Sequence, residues 1–351
     1  MKLTQKLTKG LALGAAAALS VGMLVGCSSG TSGGSESGGE GGGGDTFTVG
    51  ISVAAGQNST LQAIVEGLRA ELETVGGELI TADAQLDIDK QIADIDTFVN
   101  RGVDAIVVQP LDFPTLSSAL QRADAAGIPL FGNDALVGSD VTAEDLAPLR
   151  SHVRTARPAD EIAAFIDERI GGQGKVGAIG IAAPVAQLQF FVGEFEKEME
   201  SRPGIDFVGT VGNQSDDAAG ARPLADAMLT QNPDLRAIFA YNDPSAIGAA
   251  AAATAAGKRD QVVITGFNAS QDGIDGVRDG TIDATWDYRA PDEGQLLGHL
   301  IIESVLNGKE IGYHYEVVSA KLTQDNIDQF VPWEERIEQI RQGTFVGVPI
   351  D

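Results

Sequence analysis

Residues 101–110, RGVDAIVVQP, and 125–134, AAGIPLFGND, decide the fold. Each string closes a helical pattern on a glycine, Gly102 or Gly127, runs through a short apolar stretch, and ends in polar residues. Glycine just past a helix adopts left-handed backbone without steric cost. An unbroken apolar run of this length fits a strand buried on both faces, as in a parallel sheet. The polar residues then fall at the strand's carboxyl end, the edge where open α/β sheets hold their ligands.

The same rhythm of short apolar runs and amphipathic stretches extends in both directions, the signature of repeated βαβ units. In the first half it predicts strands near 47–54, 77–82, 103–109 and 128–132, with helices over 59–75, 88–101 and 113–126. The pattern then restarts. Strands are expected near 175–182, 205–211, 236–241, 261–267 and 282–287, with helices near 186–201, 217–230, 244–257, 270–279 and 292–307. The expected fold class is therefore α/β, with two doubly wound parallel-sheet lobes of similar size. About 306 residues, 46–351, would have to be held by apolar burial, a length that usually divides into two cores.

Ahead of this region lies a different kind of sequence. Lys2, Lys6 and Lys9 form a basic start, and Leu11 to Gly26 is apolar but only sixteen residues long. That is shorter than the roughly 20 needed to span a bilayer, so residues 1–26 read as a signal peptide. Cys27, the only cysteine, follows Leu24-Val25-Gly26 in a string that resembles the bacterial lipobox. The resemblance implies lipidation at Cys27, an extracytoplasmic location and attachment to the membrane through a lipid anchor. Residues 28–45, SSGTSGGSESGGEGGGGD, have no apolar side chain to repay ordering and read as a flexible tether.

Formal charge is −26, and without the first 26 residues, which carry three lysines and no acid, it becomes −29. A body this acidic repels nucleic acid, which excludes that partner. With Cys27 acylated no thiol remains for disulfides. Motifs for catalysis fail on context. Gly30 to Gly34 matches a nucleophile elbow but has no preceding strand, and Gly172 to Gly177 matches G-x-G-x-x-G but precedes its strand. His152, His299 and His314 are isolated in the sequence and lack metal-ligand spacing. The expectation is a protein that is no enzyme and needs no metal or cofactor.

Reading the residues just past each strand gives Gln57 and Asn58, Asp83, Gln109, Asn133 and Asp134 in the first half, then Gln187, Asn242, Asn268 and Tyr288 in the second. Amides dominate this set. An amide offers a donor and an acceptor a few ångströms apart, which suits vicinal hydroxyls and costs less to desolvate than a charge. Asp134 could accept two charge-assisted bonds. Phe190 or Phe191, Trp286 and Tyr288 could supply an apolar wall, although adjacent Phe190 and Phe191 cannot both face one site. Asp243, before Pro244, reads as a helix cap. Gln109, before Pro110, reads as a brace for its loop, and Trp286 fits core at least as well as pocket.

The strings GVDAIVVQPLD, AAGIPLFGND, IFAYNDPSAIGAAAA, VVITGFNASQDGIDGVRDGTIDATW and PDEGQLLG, in this order, resemble the type I periplasmic binding proteins of the ribose/galactose-binding class from Thr46 to about Ala320. That resemblance implies two lobes joined by three hinge crossovers, near Arg154 to Arg157, Tyr288 to Ala290 and Ser319 to Ala320. The first lobe would combine 46–154 with 290–318, and the second 155–289 with 319–351. Carried over by position, family ligand contacts fall on Gln57 or Asn58, Asp134, Asn242, Asn268 and Tyr288. Arg154 or Arg157, flanking a hinge, would supply a guanidinium. Ala135, Thr60, Leu61 and the stretch at Leu188 and Gln189 depart from the ribose-binding pattern and count against ribose itself. The implied function is a monomeric, lipid-anchored receptor that passes a sugar or sugar-like polyol to the permease of an ABC importer. The alternatives are a sensory adaptor, or a binder of a nucleoside or furanone signal. The segment after Ala320, including a helix over 333–341, would pack on the second lobe as an extra helix and strand.

Overall fold

A computed structural model describes residues 46–134, 146–183 and 185–344. The leader, Cys27, the tether, Ala135 and residues 345–351 lie outside them. The first half runs β1 (Thr48–Val53), α1 (Ser59–Glu73), β2 (Glu78–Asp83), α2 (Ile88–Arg101), β3 (Ala105–Val108), α3 (Phe113–Ala125), β4 (Leu130–Asn133) and β5 (Leu149–Thr155). The chain continues with α4 (Ala159–Ile170), β6 (Gly174–Ile181), α5 (Ala186–Glu200), β7 (Ile205–Asn213), α6 (Ala218–Gln231), β8 (Leu235–Ala240) and α7 (Asp243–Ala255). It closes with β9 (Val263–Thr265), α8 (Gln271–Asp279), β10 (Thr285–Asp287), α9 (Ala290–Ile301), β11 (His314–Val317), β12 (Ala320–Leu322) and α10 (Trp333–Arg341).

Local sequence sets these elements. Asn58, Asp87 and Asp112 cap α1, α2 and α3 with side-chain oxygens, and Gly102 ends α2 in left-handed backbone at φ 66°. Every residue of β3, AIVV, is buried, which matches a central strand covered on both faces. A parallel six-stranded sheet forms in the order β11-β5-β4-β3-β1-β2. A second parallel sheet has the order β7-β6-β8-β9, and β10 pairs antiparallel with β12 in a short ribbon. The α/β class and the parallel sheets follow the reading of the sequence.

The chain passes between these sheets three times, through residues 156–158, 288–289 and 318–319. Helices α1 and α9 cross at close range because both are glycine at the crossing. A Cβ on Gly67 would fall 2.2 Å from the Pro291 carbonyl oxygen, and one on Gly294 would fall 2.0 Å from that of Ile64. Trp286 is fully buried and meets Phe165 edge-on at 5.7 Å, so its indole is core and not pocket wall. Removing such a side chain costs about 3–5 kcal/mol.

Several elements escaped the sequence. β5, LRSHVRT, carries charged and polar residues that mimic a loop, yet Ser151 and His152 in it are fully buried. α4 lacks a side-chain cap at its start, although Ile162, Ala163, Ile166 and Ile170 keep helical spacing and Gly171 ends it in left-handed backbone. β11 and β12 are three or four residues long, too short for a pattern. Helix α10 corrects an expectation, since it packs on α1 and α9, beside the first sheet. Arg341 reaches Glu66 and Glu73 of α1, and Arg336 reaches Asp287 at 2.5 Å and Asp292 at 2.7 Å. The histidines separated in sequence are also not all apart. β11 aligns His314 beside His152 of β5, with ring centroids 4.5 Å apart.

Candidate functional site

Between the carboxyl ends of the two large sheets lies a cavity of about 300 Å³. Its first wall is the loops after β1, β2, β3 and β4 and the first turn of α1: Ala54, Asn58, Thr60, Leu61, Leu86, Gln109 and Asp134. The facing wall comes from the loops after β6, β7, β8 and β9, the first turn of α5 and the end of β7: Val185, Gln187, Leu188, residues 213–216, Tyr241, Asn242 and Asn268. Arg157 and Tyr288, each in a crossing segment, close the back.

The back wall is an ion-paired cluster. Arg157 donates to Asp134 through Nη2 at 2.7 Å, and the Tyr288 hydroxyl donates to the same carboxylate at 2.9 Å. The guanidinium also lies 5.4 Å from the Tyr288 ring centre. Burial works against the arginine's charge, but the charge and hydrogen bond of Asp134, together with Tyr288 and Glu293 beside it, outweigh it and hold the guanidinium firmly protonated. Burial, then the Asp134 charge, pushes the Tyr288 hydroxyl well above its ordinary pKa, so it stays a donor. Asp134 sits at φ 53°, strained for an aspartate, which turns its carboxylate back to meet these partners.

Behind this cluster runs a row of braces. Asn133 donates to Glu293 at 2.6 Å and accepts from Gln109 at 3.1 Å, while Thr155 donates to the other Glu293 oxygen at 2.8 Å. Gln109 also accepts from the Ala54 backbone at 3.2 Å. Burial, reinforced by the charge of Asp134, raises the Glu293 pKa to about 8, so a protonated carboxyl sits behind the ion pair at neutral pH.

On the opposite wall, Asn242 caps α7 by accepting from the Ser245 amide at 2.9 Å and donates to Asp216 at 2.6 Å. Tyr241 also donates its hydroxyl to Asp216. Asp216 is a second aspartate in left-handed backbone, at φ 57°. Although the residue as a whole meets solvent, local crowding of its carboxylate, then the neighbouring Asp217 charge, raises its pKa.

The predicted residues thus divide. Asn58, Asp134, Arg157, Gln187, Asn242, Asn268 and Tyr288 all line the cavity. Gln57 is exposed and does not line it, whereas its neighbour Asn58, also exposed, lines the cavity while capping α1. Asn133 does not line it either, as its amide is consumed between Gln109 and Glu293. Phe190 is 48 % exposed and borders an outer pocket beside Arg154, while Phe191 is packed against Phe239 and Phe267. Neither phenylalanine faces the cavity. Arg154 pairs with Glu316 and leaves the guanidinium role to Arg157.

Asp243 is neither cap nor ligand contact. Asn242 caps the helix, and buried Asp243 accepts from the Ser270 amide at 2.7 Å and the Thr285 hydroxyl at 2.6 Å, with burial raising its pKa to about 7. Residues the sequence reading missed are Asn213, Gln214, Ser215 and Asp216. β7 runs two residues further than expected, to Asn213, and the same rule of reading past the strand would have found them.

Among the described residues no group of three or more His, Cys, Asp and Glu is placed to hold a metal, and no helix is long and apolar enough to cross a membrane.

A family model described as periplasmic binding protein domain matches residues 49–310. The ribose import binding protein of Bacillus subtilis (strain 168) is 28% identical over 280 residues, covering 76% of this chain and 83% of that protein. An ABC transporter periplasmic solute binding protein from Actinobacillus succinogenes 130z, solved with D-allose, superimposes with a TM-score of 0.73 at 23% identity, over 81% of this chain and 99% of that one. A solute binding protein from Bacillus halodurans C-125, solved with myo-inositol, gives a TM-score of 0.70 at 21% identity, over 82% of this chain and 98% of that one.

Proposed function

From the premise that this chain belongs to the periplasmic binding protein family, we propose that it is an extracytoplasmic receptor. It captures one sugar or polyol of monosaccharide size between its two halves and delivers it to an ABC importer. The observation that carries this reading is the cavity between the sheets, walled from both sides by amides and carboxylates at strand ends. At about 300 Å³ it lies at the small end of ligand pockets, which fits a single ring or a short alditol. Leu61 and Leu188, on opposite walls, offer aliphatic surface for the carbon skeleton, and amides supply paired donors and acceptors for its hydroxyls.

In this reading the six-stranded sheet and the four-stranded sheet are the cores of two lobes that close by bending at residues 156–158, 288–289 and 318–319. The first lobe takes 46–154 and 290–318 with helix α10, and the second takes 155–289 and the ribbon strand β12. Binding is non-covalent and the protein performs no chemistry on its ligand. The LVGC string supports lipidation at Cys27, which would keep the receptor beside its permease.

A thermal-shift and calorimetric panel of D-ribose, D-allose, xylitol and myo-inositol, widened to other monosaccharides and alditols, tests the reading. One or a few tight binders are expected, each raising stability by about 2.7 kcal/mol at 100 times Kd. A panel with no neutral sugar or polyol among its binders refutes it. Cys27→Ser, expressed in the native host, should release the protein from the membrane fraction.

A further inference from the structure

Three charged side chains line the cavity: Asp134, Arg157 and Asp216. Asp134 and Arg157 neutralise each other across 2.7 Å. Among the described residues Asp216 has no such partner: its donors there, the Tyr241 hydroxyl and the Asn242 amide, are neutral. Both donors meet one oxygen, Oδ1, and among the described residues Oδ2 receives no protein donor. The strained backbone at φ 57° holds this half-satisfied carboxylate on the wall opposite the Arg157 pair.

A carboxylate with one open oxygen in a cleft does two things. It offers a charge-assisted bond to a hydroxyl or ammonium of the ligand, stronger than one between neutral groups. It also repels any ligand carboxylate or phosphate, and among the described residues the only cation in the cavity, Arg157, is already paired with Asp134.

We propose that Asp216 is the residue that fixes the charge class of the ligand. It reserves the second-lobe wall for a neutral or amine-bearing polyol and refuses sugar acids and sugar phosphates. This deepens the sugar-receptor reading and rests on it.

The test takes whichever of D-ribose, D-allose, xylitol and myo-inositol binds, together with its phosphate monoester, and titrates both into the wild-type protein, Asp216→Asn and Asp216→Glu. Wild type should bind the neutral compound at least a hundredfold more tightly than the ester. Asp216→Asn should lose at least tenfold in affinity for the neutral compound and narrow the gap to the ester at least tenfold, whereas Asp216→Glu, which keeps the charge, should retain the refusal. An Asp216→Asn protein that binds the neutral ligand within twofold of wild type and discriminates as strongly overturns the assignment. A wild-type protein that binds the ester as well as the neutral compound overturns it too, while the sugar reading survives. If no neutral sugar or polyol binds the wild type, the sugar reading itself falls, and this assignment with it.

Discussion

Arg157 and Asp134 meet at 2.7 Å at the back of the cleft although one belongs to a crossing segment and the other ends a strand of the first sheet. Their side chains are 14% and 3% exposed, so the pair is shielded from water and salt. The interaction therefore ties a crossing segment to the wall of the cavity.

Arg157→Met should destabilise the protein by about 3–5 kcal/mol, because it strands a buried carboxylate. Urea unfolding monitored by circular dichroism reads this directly, and a loss below about 1 kcal/mol would contradict the assigned burial. Tyr288→Phe, which removes one donor to a charged acceptor, should cost about 1.5–3 kcal/mol.

Asn242 serves both the α7 cap and the cavity wall. Asn242→Ala should lower stability by about 1 kcal/mol through the lost cap and weaken ligand binding more than tenfold. Asn242→Ser, which keeps an oxygen for the cap, should recover much of the stability but little of the affinity. Equal recovery of both would show that the amide acts only through the helix.

Glu293 gives the stability curve a slope at neutral and alkaline pH. Its folded pKa of about 8 lies above the ordinary 4.5, so the folded state holds a proton that the unfolded chain releases. The favourable contribution is complete below about pH 4.5 and is lost as pH rises towards 8. Glu293→Gln should remove this part of the decline, leaving the variant more stable relative to wild type at pH 8.5 than at pH 5. Parallel denaturation curves for the two proteins across this range would refute the assignment.

The His152–His314 pair acts on the acid side. Burial, then the charges of His314 and Arg154, lowers the His152 pKa from 6.5 to about 4, and burial also lowers that of His314. The groups around the pair are Arg154, Glu316 and the edge of Tyr313. The folded state holds both rings neutral, so this contribution is present above pH 6.5 and is lost as pH falls towards 4. His314→Gln removes one titrating ring and the repulsion it exerts, and should make the acid limb of the melting temperature shallower.

The sequence made the parallel sheets legible because their central strands are uniform apolar runs between glycine-closed helices, a pattern that burial on both faces imposes. β3 and β4 lie within two residues of expectation. β5 was hidden because its inward residues include Ser151 and His152, whose polarity is met by neighbouring backbone and ring atoms that no local pattern reveals. At the site, the rule of reading past each strand leads to Asp134, Asn242, Asn268 and Tyr288, all of which line the cavity. It also leads to Asn133, which does not line the cavity and spends its amide on Gln109 and Glu293, one of them 160 residues away. Phe190 failed for a rotational reason, since one residue along a helix turns a side chain by roughly 100°, and neither it nor Phe191 points at the cleft.

Helix α10 reaches the crossing segment at residues 288–289. Arg336 grips Asp287 at the end of the ribbon strand β10 and Asp292 in the first turn of α9, on either side of residues 288–289, and Trp333 adds a bond to Asp287 at 3.1 Å. The hinge bending proposed above would load these contacts, which lie outside the set of residues that touch the cavity. If the halves bend there as proposed, substitutions at position 336 would change how firmly that segment is held while leaving the residues that line the cavity in place.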